Sequence, residues 1–264
     1  MKNLKNKLAS FNLPIITFLT YIFLYVPIAI LVIFSFNSAQ FPAPWHSFTL
    51  KWYKELFSSE HIWTALINSL IVAFAAVVLT LMICLGLILY LSAGAKRNFK
   101  RTIIFFYGNL IVPEVVLSVG LLSVFSFFTV PLGLTTLIIG HTVLGLGYAI
   151  PIIYARFEEI NYSLIEASLD LGATKIQTFF KVILPLLFPS LIAASLLVFI
   201  ISFDDFILSF FCSGSSAQTL SLYIFAMIRT GISPIVNALS AFLLVMSSFL
   251  VLIFCSLQVR SRIF

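Results

Sequence analysis

Six apolar runs, separated by polar or Gly/Pro-rich connections, govern what this chain can fold into. They cover residues 15–36, 65–91, 102–128, 135–154, 186–211 and 235–257. A helix rises 1.5 Å per residue, so roughly 20 apolar residues cross the ~30 Å hydrocarbon layer of a bilayer. In lipid every backbone N–H and C=O must be satisfied by protein, and runs of this length do so as helices. The expected fold class is all-α, a polytopic membrane protein of about six transmembrane helices. Composition agrees: 61% of the 264 residues are hydrophobic, only 9% are charged and mean hydropathy is +1.15. A soluble domain carries roughly 25% charged residues. Six spans and short loops consume the chain, so a single membrane domain, 1–264, is expected, with no room for a soluble catalytic domain.

The basic residues set the orientation. With the N-terminus in the cytoplasm, Lys2, Lys5, Lys7, Lys96, Arg97, Lys100, Arg101, Arg156, Lys175, Lys181, Arg260 and Arg262 fall on one side. Lys51, Lys54 and Arg229 fall on the other. That asymmetry obeys the positive-inside rule and places both termini in the cytoplasm. The net charge of +6 therefore reflects topology, and nucleic acid is not an expected partner, whereas membrane lipid is. The first run follows three lysines but exceeds a signal-peptide core of about 7–15 residues, so it reads as an uncleaved span. Cys84, Cys212 and Cys255 lie in or beside apolar runs, without metal-ligand spacing, and read as small core residues.

Two external segments stand out. Asn37–Trp63 carries Trp45, Trp52 and Trp63, the aromatics of a membrane-interface belt; His46 and His61 have no companion ligands for a metal. Ser213–Pro234 holds a middle stretch too short to span and too apolar to lie free in water, which fits a re-entrant or interfacial helix.

The longest cytoplasmic connection, 156–185, has the grammar of a two-helix hairpin. Ser163 and Glu166 have capping-box spacing, Gly172 stands where a left-handed C-terminal residue belongs, and Thr174 and Gln177 form a second box before Pro185 closes the second helix. Ile165, Leu169, Leu171, Ile176, Phe179 and Phe180 are too many apolar residues for a solvated loop. Some must bury against the spans, and the others can form an interface.

Within this hairpin Glu166-Ala167-Ser168, Gly172 and then Val182-Ile183-Leu184-Pro185 resemble the EAA loop of ABC importer permeases, the type I transmembrane subunits. Ser168 replaces the second Ala of that motif and Val182 replaces an Ile. The resemblance continues in Tyr25-Val26-Pro27-Ile28, Ser35-Phe36-Asn37-Ser38, Lys51-Trp52-Tyr53, Asn68-Ser69-Leu70, Asp204-Asp205 and Ser233-Pro234-Ile235-Val236-Asn237-Ala238. Together these are similar to the membrane subunits of spermidine/putrescine importers. The resemblance implies a core transmembrane region over 62–257 and a bacterial inner-membrane location. It also implies an ATPase-coupling role for Glu166, Ala167, Ser168, Gly172, Leu184 and Pro185. The implied partners are an ATP-binding subunit in two copies, a second permease subunit and a periplasmic or surface substrate-binding protein. ATP and Mg would belong to the partner ATPase, with no cofactor in this chain.

Three acids, Glu114, Asp204 and Asp205, fall inside apolar runs that contain no Lys or Arg. A carboxylate at the bilayer centre costs about 2.5–3.5 kcal/mol on insertion scales, so such residues face water, a partner or a substrate. By residue count Glu114 lies near the midplane, and Asp204 and Asp205 lie near the outer end of the fifth span. They suit a path for a polycation, although acids at a span end can also snorkel or bind nearby backbone. Neighbours on a helix diverge by about 100°, so one aspartate at most faces such a path fully.

No phosphate-binding loop of the Gly-x-x-x-x-Gly-Lys-Ser/Thr type occurs, and His46, His61 and His141 form no catalytic constellation. An enzyme is therefore not expected, and His141 reads as a satisfied core residue. The alternatives are an importer of another solute, such as iron, thiamine or an amino acid, and a stand-alone secondary transporter. The latter calls for internal repeats with matched acids, and no such repeat is visible.

Overall fold

The computed structural model describes residues 2–39, 44–92, 106, 108, 110–231 and 234–261. The basic cluster Lys96–Arg101, the start of the third apolar run at Thr102, Ser233 and Arg262 lie outside the described residues. The described chain is helical. In order it comprises α1 (Lys2–Phe34), α2 (Lys51–Ser58), α3 (Glu60–Ser92), α4 (Glu114–Phe127), α5 (Leu134–Glu158), α6 (Tyr162–Asp170) and α7 (Lys175–Thr178). A π-helical turn (Phe179–Ile183) leads into α8 (Leu184–Asp204), followed by α9 (Ile207–Cys212), α10 (Leu220–Thr230) and α11 (Pro234–Ser261).

Two compact units divide the chain. The first comprises Met1–Glu60 and Ile224–Phe264. Here α11 packs against α1 and α2, with Phe57 edge-on to Phe242 at 5.4 Å. The segment after α1 is tied by Asn37: its backbone carbonyl accepts from Trp52 Nε1 (2.7 Å) and its side-chain oxygen accepts from the His46 amide (2.9 Å). Trp52 and Leu56 are the buried face of α2, so the expected interfacial segment contains a short amphipathic helix.

The second unit, His61–Tyr223, holds two apolar clusters. Cys84, Ile88, Ile150, Ile153, Ile183, Leu187 and Val198 form one, from α3, α5 and the π-turn with α8. Val72, Phe125, Leu137, Leu144 and Leu208 form the other, from α3, α4, α5 and α9. Close approach of α5 to its neighbours depends on missing side chains. A Cβ on Gly145 would lie 2.8 Å from both Thr80 Oγ1 and Val198 Cγ1, and one on Gly140 would lie 2.7 Å from Leu208 Cδ2. Small residues at such crossings are how membrane helices gain contact when lipid supplies no hydrophobic drive between them.

Among the described residues four helices are long and apolar enough to cross a membrane: 14–34, 60–92, 134–158 and 175–204. Shorter apolar helices cover 114–127 and 220–230, and α11 is apolar over 234–249. Two apolar runs thus depart from the expected continuous spans. The third is interrupted at Val112–Pro113, because Pro113 has no N–H to donate and its ring disfavours helical geometry in the residue before it. The fifth breaks at Asp205, whose ψ of 129° is extended, before α9 resumes. Between α9 and α10 the chain turns at Gly214 (φ +62°), where a Cβ would sit 2.7 Å from the Leu132 carbonyl oxygen. Ser69 Oγ then accepts the Leu220 amide (2.8 Å), and Asn68 Nδ2 donates to the Gln218 carbonyl (3.0 Å).

Gly145→Ala tests the α5 crossing. Thr80 and Val198 are both β-branched and stiff, so neither can yield cheaply. The substitution should lower unfolding stability in detergent by about 1–3 kcal/mol. An unchanged thermal midpoint would show that the crossing is looser than these distances.

Candidate functional site

The hairpin forms as two short helices joined at Gly172, but two of its details differ from the expected spacing. Asn161, not Ser163, caps α6: its side chain accepts the Ser163 amide at 3.1 Å. A residue two positions earlier offers the same kind of oxygen, and spacing alone does not choose between them. Gly172 adopts φ +86°, which an L side chain tolerates poorly. The second capping box is present, with Thr174 Oγ1 accepting from the Gln177 amide (3.3 Å) and Gln177 Oε1 accepting from the Thr174 amide (2.8 Å). Pro185 does not close the second helix. The chain widens into the π-turn, where the Leu184 amide reaches back five residues to the Phe179 carbonyl. Pro185 then sits in the first turn of α8, where a missing N–H is tolerated.

The hairpin is fastened to the spans by packing. Ile165, Phe179 and Ile183 are buried in the apolar cluster around Ile88 and Ile153, and Ser168 Oγ lies 2.9 Å from Thr178 Oγ1 across the two helices. Burying each such side chain is worth about 1.5–3 kcal/mol, whereas a cap is worth about 1. The opposite surface is apolar and open: Leu171 is 90%, Ile176 62% and Phe180 57% exposed. Glu166, Ala167, Gly172 and Pro185 are exposed, Ser168 and Leu184 are partly buried, and the space where a Gly172 Cβ would stand is empty.

The second candidate feature lies at the two helix breaks. Glu114 occupies the first position of α4, and its carboxyl meets that of Asp205 just before α9. Counting along continuous spans separates these residues in depth; the breaks bring them together. Both sit at helix N-termini, where partial positive charge favours a carboxylate. Asp205 is buried, with its side chain 1% exposed, and accepts the amides of Leu208 (3.3 Å) and Ser209 (2.8 Å). Asp204 is exposed and Glu114 is partly so. The three acids therefore have three different settings.

His141 on α5 completes this cluster, and sequence reasoning missed its neighbours. Its Nδ1 lies 2.9 Å from Ser202 Oγ, and its Nε2 lies 3.4 Å from Ser209 Oγ and 3.7 Å from Asp205 Oδ2. These partners are 61 to 68 positions away along the chain, beyond any local pattern. No group of three or more His, Cys, Asp or Glu suited to a metal ion occurs among the described residues.

Several long apolar helices, two of the apolar runs broken at polar residues, define the class: a multi-pass membrane protein. Residues 82–261 match the family described as binding-protein-dependent transport system inner membrane component. The chain belongs to that family and is the membrane-spanning permease subunit of an ABC importer. It is 34% identical over 238 residues to the spermidine/putrescine transport system permease protein PotC of Haemophilus influenzae, covering 89% of this chain and 92% of the relative. Identity to PotC of Escherichia coli K12 is 35% over 234 residues, 88% of each chain. Its fold is similar to that of a chain from a bacterial ABC transporter involved in import of the acidic polysaccharide alginate, at TM-score 0.73 and 15% identity over 96% of both chains.

Caps and packing hold the hairpin with unequal strength, which ranks two substitutions. Thr174→Ala removes a cap and should cost about 1 kcal/mol, while Ile183→Ala opens a cavity in the anchoring cluster and should cost about 2–5. Hydrogen exchange over residues 162–183 should therefore accelerate more in Ile183→Ala. The reverse order would mean that caps, not packing, hold the hairpin.

Proposed function

We propose that this chain forms half of a polyamine path across the bacterial inner membrane, driven by a separate ATPase. The observation that carries the reading is the set of acids at the two helix breaks, in a chain whose relatives include permeases for spermidine and putrescine. Among the described residues no Lys or Arg forms an ion pair with these acids. A protonated polyamine is an extended chain of ammonium groups, each able to donate hydrogen bonds to a carboxylate. Glu114 and Asp204 are the acids open enough to meet such a cation directly, and Asp205 backs them from the interior.

The hairpin 156–185 supplies the coupling. Its open apolar surface, Leu171, Ile176 and Phe180, together with the exposed Glu166–Ala167 and the uncluttered Gly172, suits a cleft on an ATP-binding subunit. ATP and Mg act there, and this chain does not hydrolyse ATP. A second permease chain completes the path, and a substrate-binding protein delivers the solute to the outer face. Both termini then lie in the cytoplasm, in keeping with the distribution of basic residues. ATP binding closes the ATPase pair, the hairpin carries that movement into α8, and access alternates between the two faces.

Uptake by the assembled transporter tests both parts. A hydrogen bond to a charged group is worth about 1.5–3 kcal/mol, so Glu114→Gln or Asp204→Asn should weaken spermidine uptake roughly 10- to 100-fold while the ATPase still co-purifies. Unchanged uptake in both variants would remove the acids from the path. Gly172→Trp should abolish co-purification of the ATPase; an assembled, transporting complex would contradict the docking assignment.

A further inference from the structure

We propose that His141 is a positioning residue that holds the break in the fifth span and thereby sets affinity for a cationic solute. The inference rests on the cation-path reading given above but concerns a residue outside that path. His141 is 1% exposed and lies on α5, while the polar partners Ser202, Ser209 and Asp205 of its ring belong to the broken span. Nδ1 meets Ser202, two positions before Asp204, and Nε2 faces Ser209 and Asp205 beyond the break. One imidazole therefore bridges the end of α8 to the start of α9.

The chemistry of the partners assigns the hydrogen. Nε2 carries the N–H: it faces the Ser209 hydroxyl oxygen at 3.4 Å and, beyond hydrogen-bond length at 3.7 Å, the Asp205 Oδ2 that already accepts the Ser209 amide. Nδ1 then accepts from the Ser202 hydroxyl, and that hydroxyl is fixed as donor. In this arrangement the Asp205 carboxylate is enclosed: it accepts the Leu208 and Ser209 amides, with the imidazole 3.7 Å away and the Glu114 carboxyl from α4 beside it. A carboxylate so enclosed does not act by reaching the solute. It keeps the short helix capped and the corner rigid, and that corner determines where the exposed neighbour Asp204 projects and where Glu114 rests.

The ring cannot be replaced by bulk alone. His141→Leu keeps the volume but strands Ser202 and removes the bridge. His141→Gln keeps a donor and an acceptor on a flexible stem. At the other end Asp205→Asn retains an oxygen of the kind preferred for capping, whereas Asp205→Leu does not.

Two readouts on the complete transporter test the proposal. The first is hydrogen exchange at Leu208 and Ser209, which does not depend on the solute. Exchange should accelerate about fivefold in His141→Leu and Asp205→Leu, as expected for loss of a cap, and stay near the parent rate in His141→Gln and Asp205→Asn. The second is the KM for spermidine in proteoliposomes. It should rise about tenfold in His141→Leu and Asp205→Leu with maximal rate per assembled complex retained, and return to within about twofold of the parent in His141→Gln and Asp205→Asn.

A merely structural role would lower the amount of assembled complex and leave KM unmoved, which overturns the proposal. So does unaltered amide exchange in His141→Leu. An Asp205→Asn variant as impaired as Asp205→Leu would show that the Asp205 charge itself meets the solute, and would overturn it as well. Should His141→Leu fail to assemble, Ser202→Ala removes only the Nδ1 partner and must shift both readouts in the same direction by a smaller factor. If the parent transporter takes up no spermidine, the polyamine reading fails, and the exchange comparison alone decides the role of His141.

Discussion

The bonds from the Leu208 and Ser209 amides to the Asp205 carboxylate are what allow a membrane-spanning segment to stop and restart within this chain. Hydrocarbon offers no water to an orphan amide, and each unsatisfied one costs several kcal/mol. A break in a span therefore needs polar groups from the protein, and those groups become the polar interior of the bundle. The third span follows the same logic by another route. Pro113 removes its own donor, and Glu114 places a carboxyl at the new helix start. The acids that look expensive along an apolar run are local consequences of breaking two helices, and the breaks put them side by side.

The helical run that ends beside Asp205 begins at the hairpin. From Lys175 the chain runs through the π-turn and Pro185 into α8 without leaving helical geometry, up to Asp204. Ile165, Phe179 and Ile183 lock the hairpin into the core that α3, α5 and α8 share. A displacement of the hairpin is thus delivered to a packed interior, and interiors at crystal-like density transmit strain instead of absorbing it. α8 has the hairpin at one end and the acid cluster at the other, which gives the coupling proposed above a continuous physical route.

Much of the hairpin was legible in the sequence because caps and turns are local. Gly172 and the Thr174–Gln177 box are recognised from spacing, and both take the expected conformation. The displaced first cap shows the limit, since Asn161 and Ser163 offer similar oxygens two residues apart. Pro185 misled for a related reason: proline ends a helix unless the preceding turn widens, and the i to i+5 bond from Phe179 to Leu184 is not written in composition. The spans themselves were legible from hydropathy, but their breaks were not. Asp205 followed by an amide-rich turn, and Pro113 followed by Glu114, are helix-start signals that apolar surroundings disguise. The partners of His141 lie on other helices, and no pattern within one segment can place them.

The central claim is that a path through this chain recognises positive charge distributed along an extended solute. Competition for radiolabelled spermidine uptake, in proteoliposomes holding the complete transporter and its binding protein, tests it most directly. Spermidine, putrescine, N-acetylated spermidine and a neutral diol of matched length would serve as competitors. The account predicts that inhibition falls as ammonium groups are removed and disappears for the diol. Equal competition by the neutral diol would contradict it.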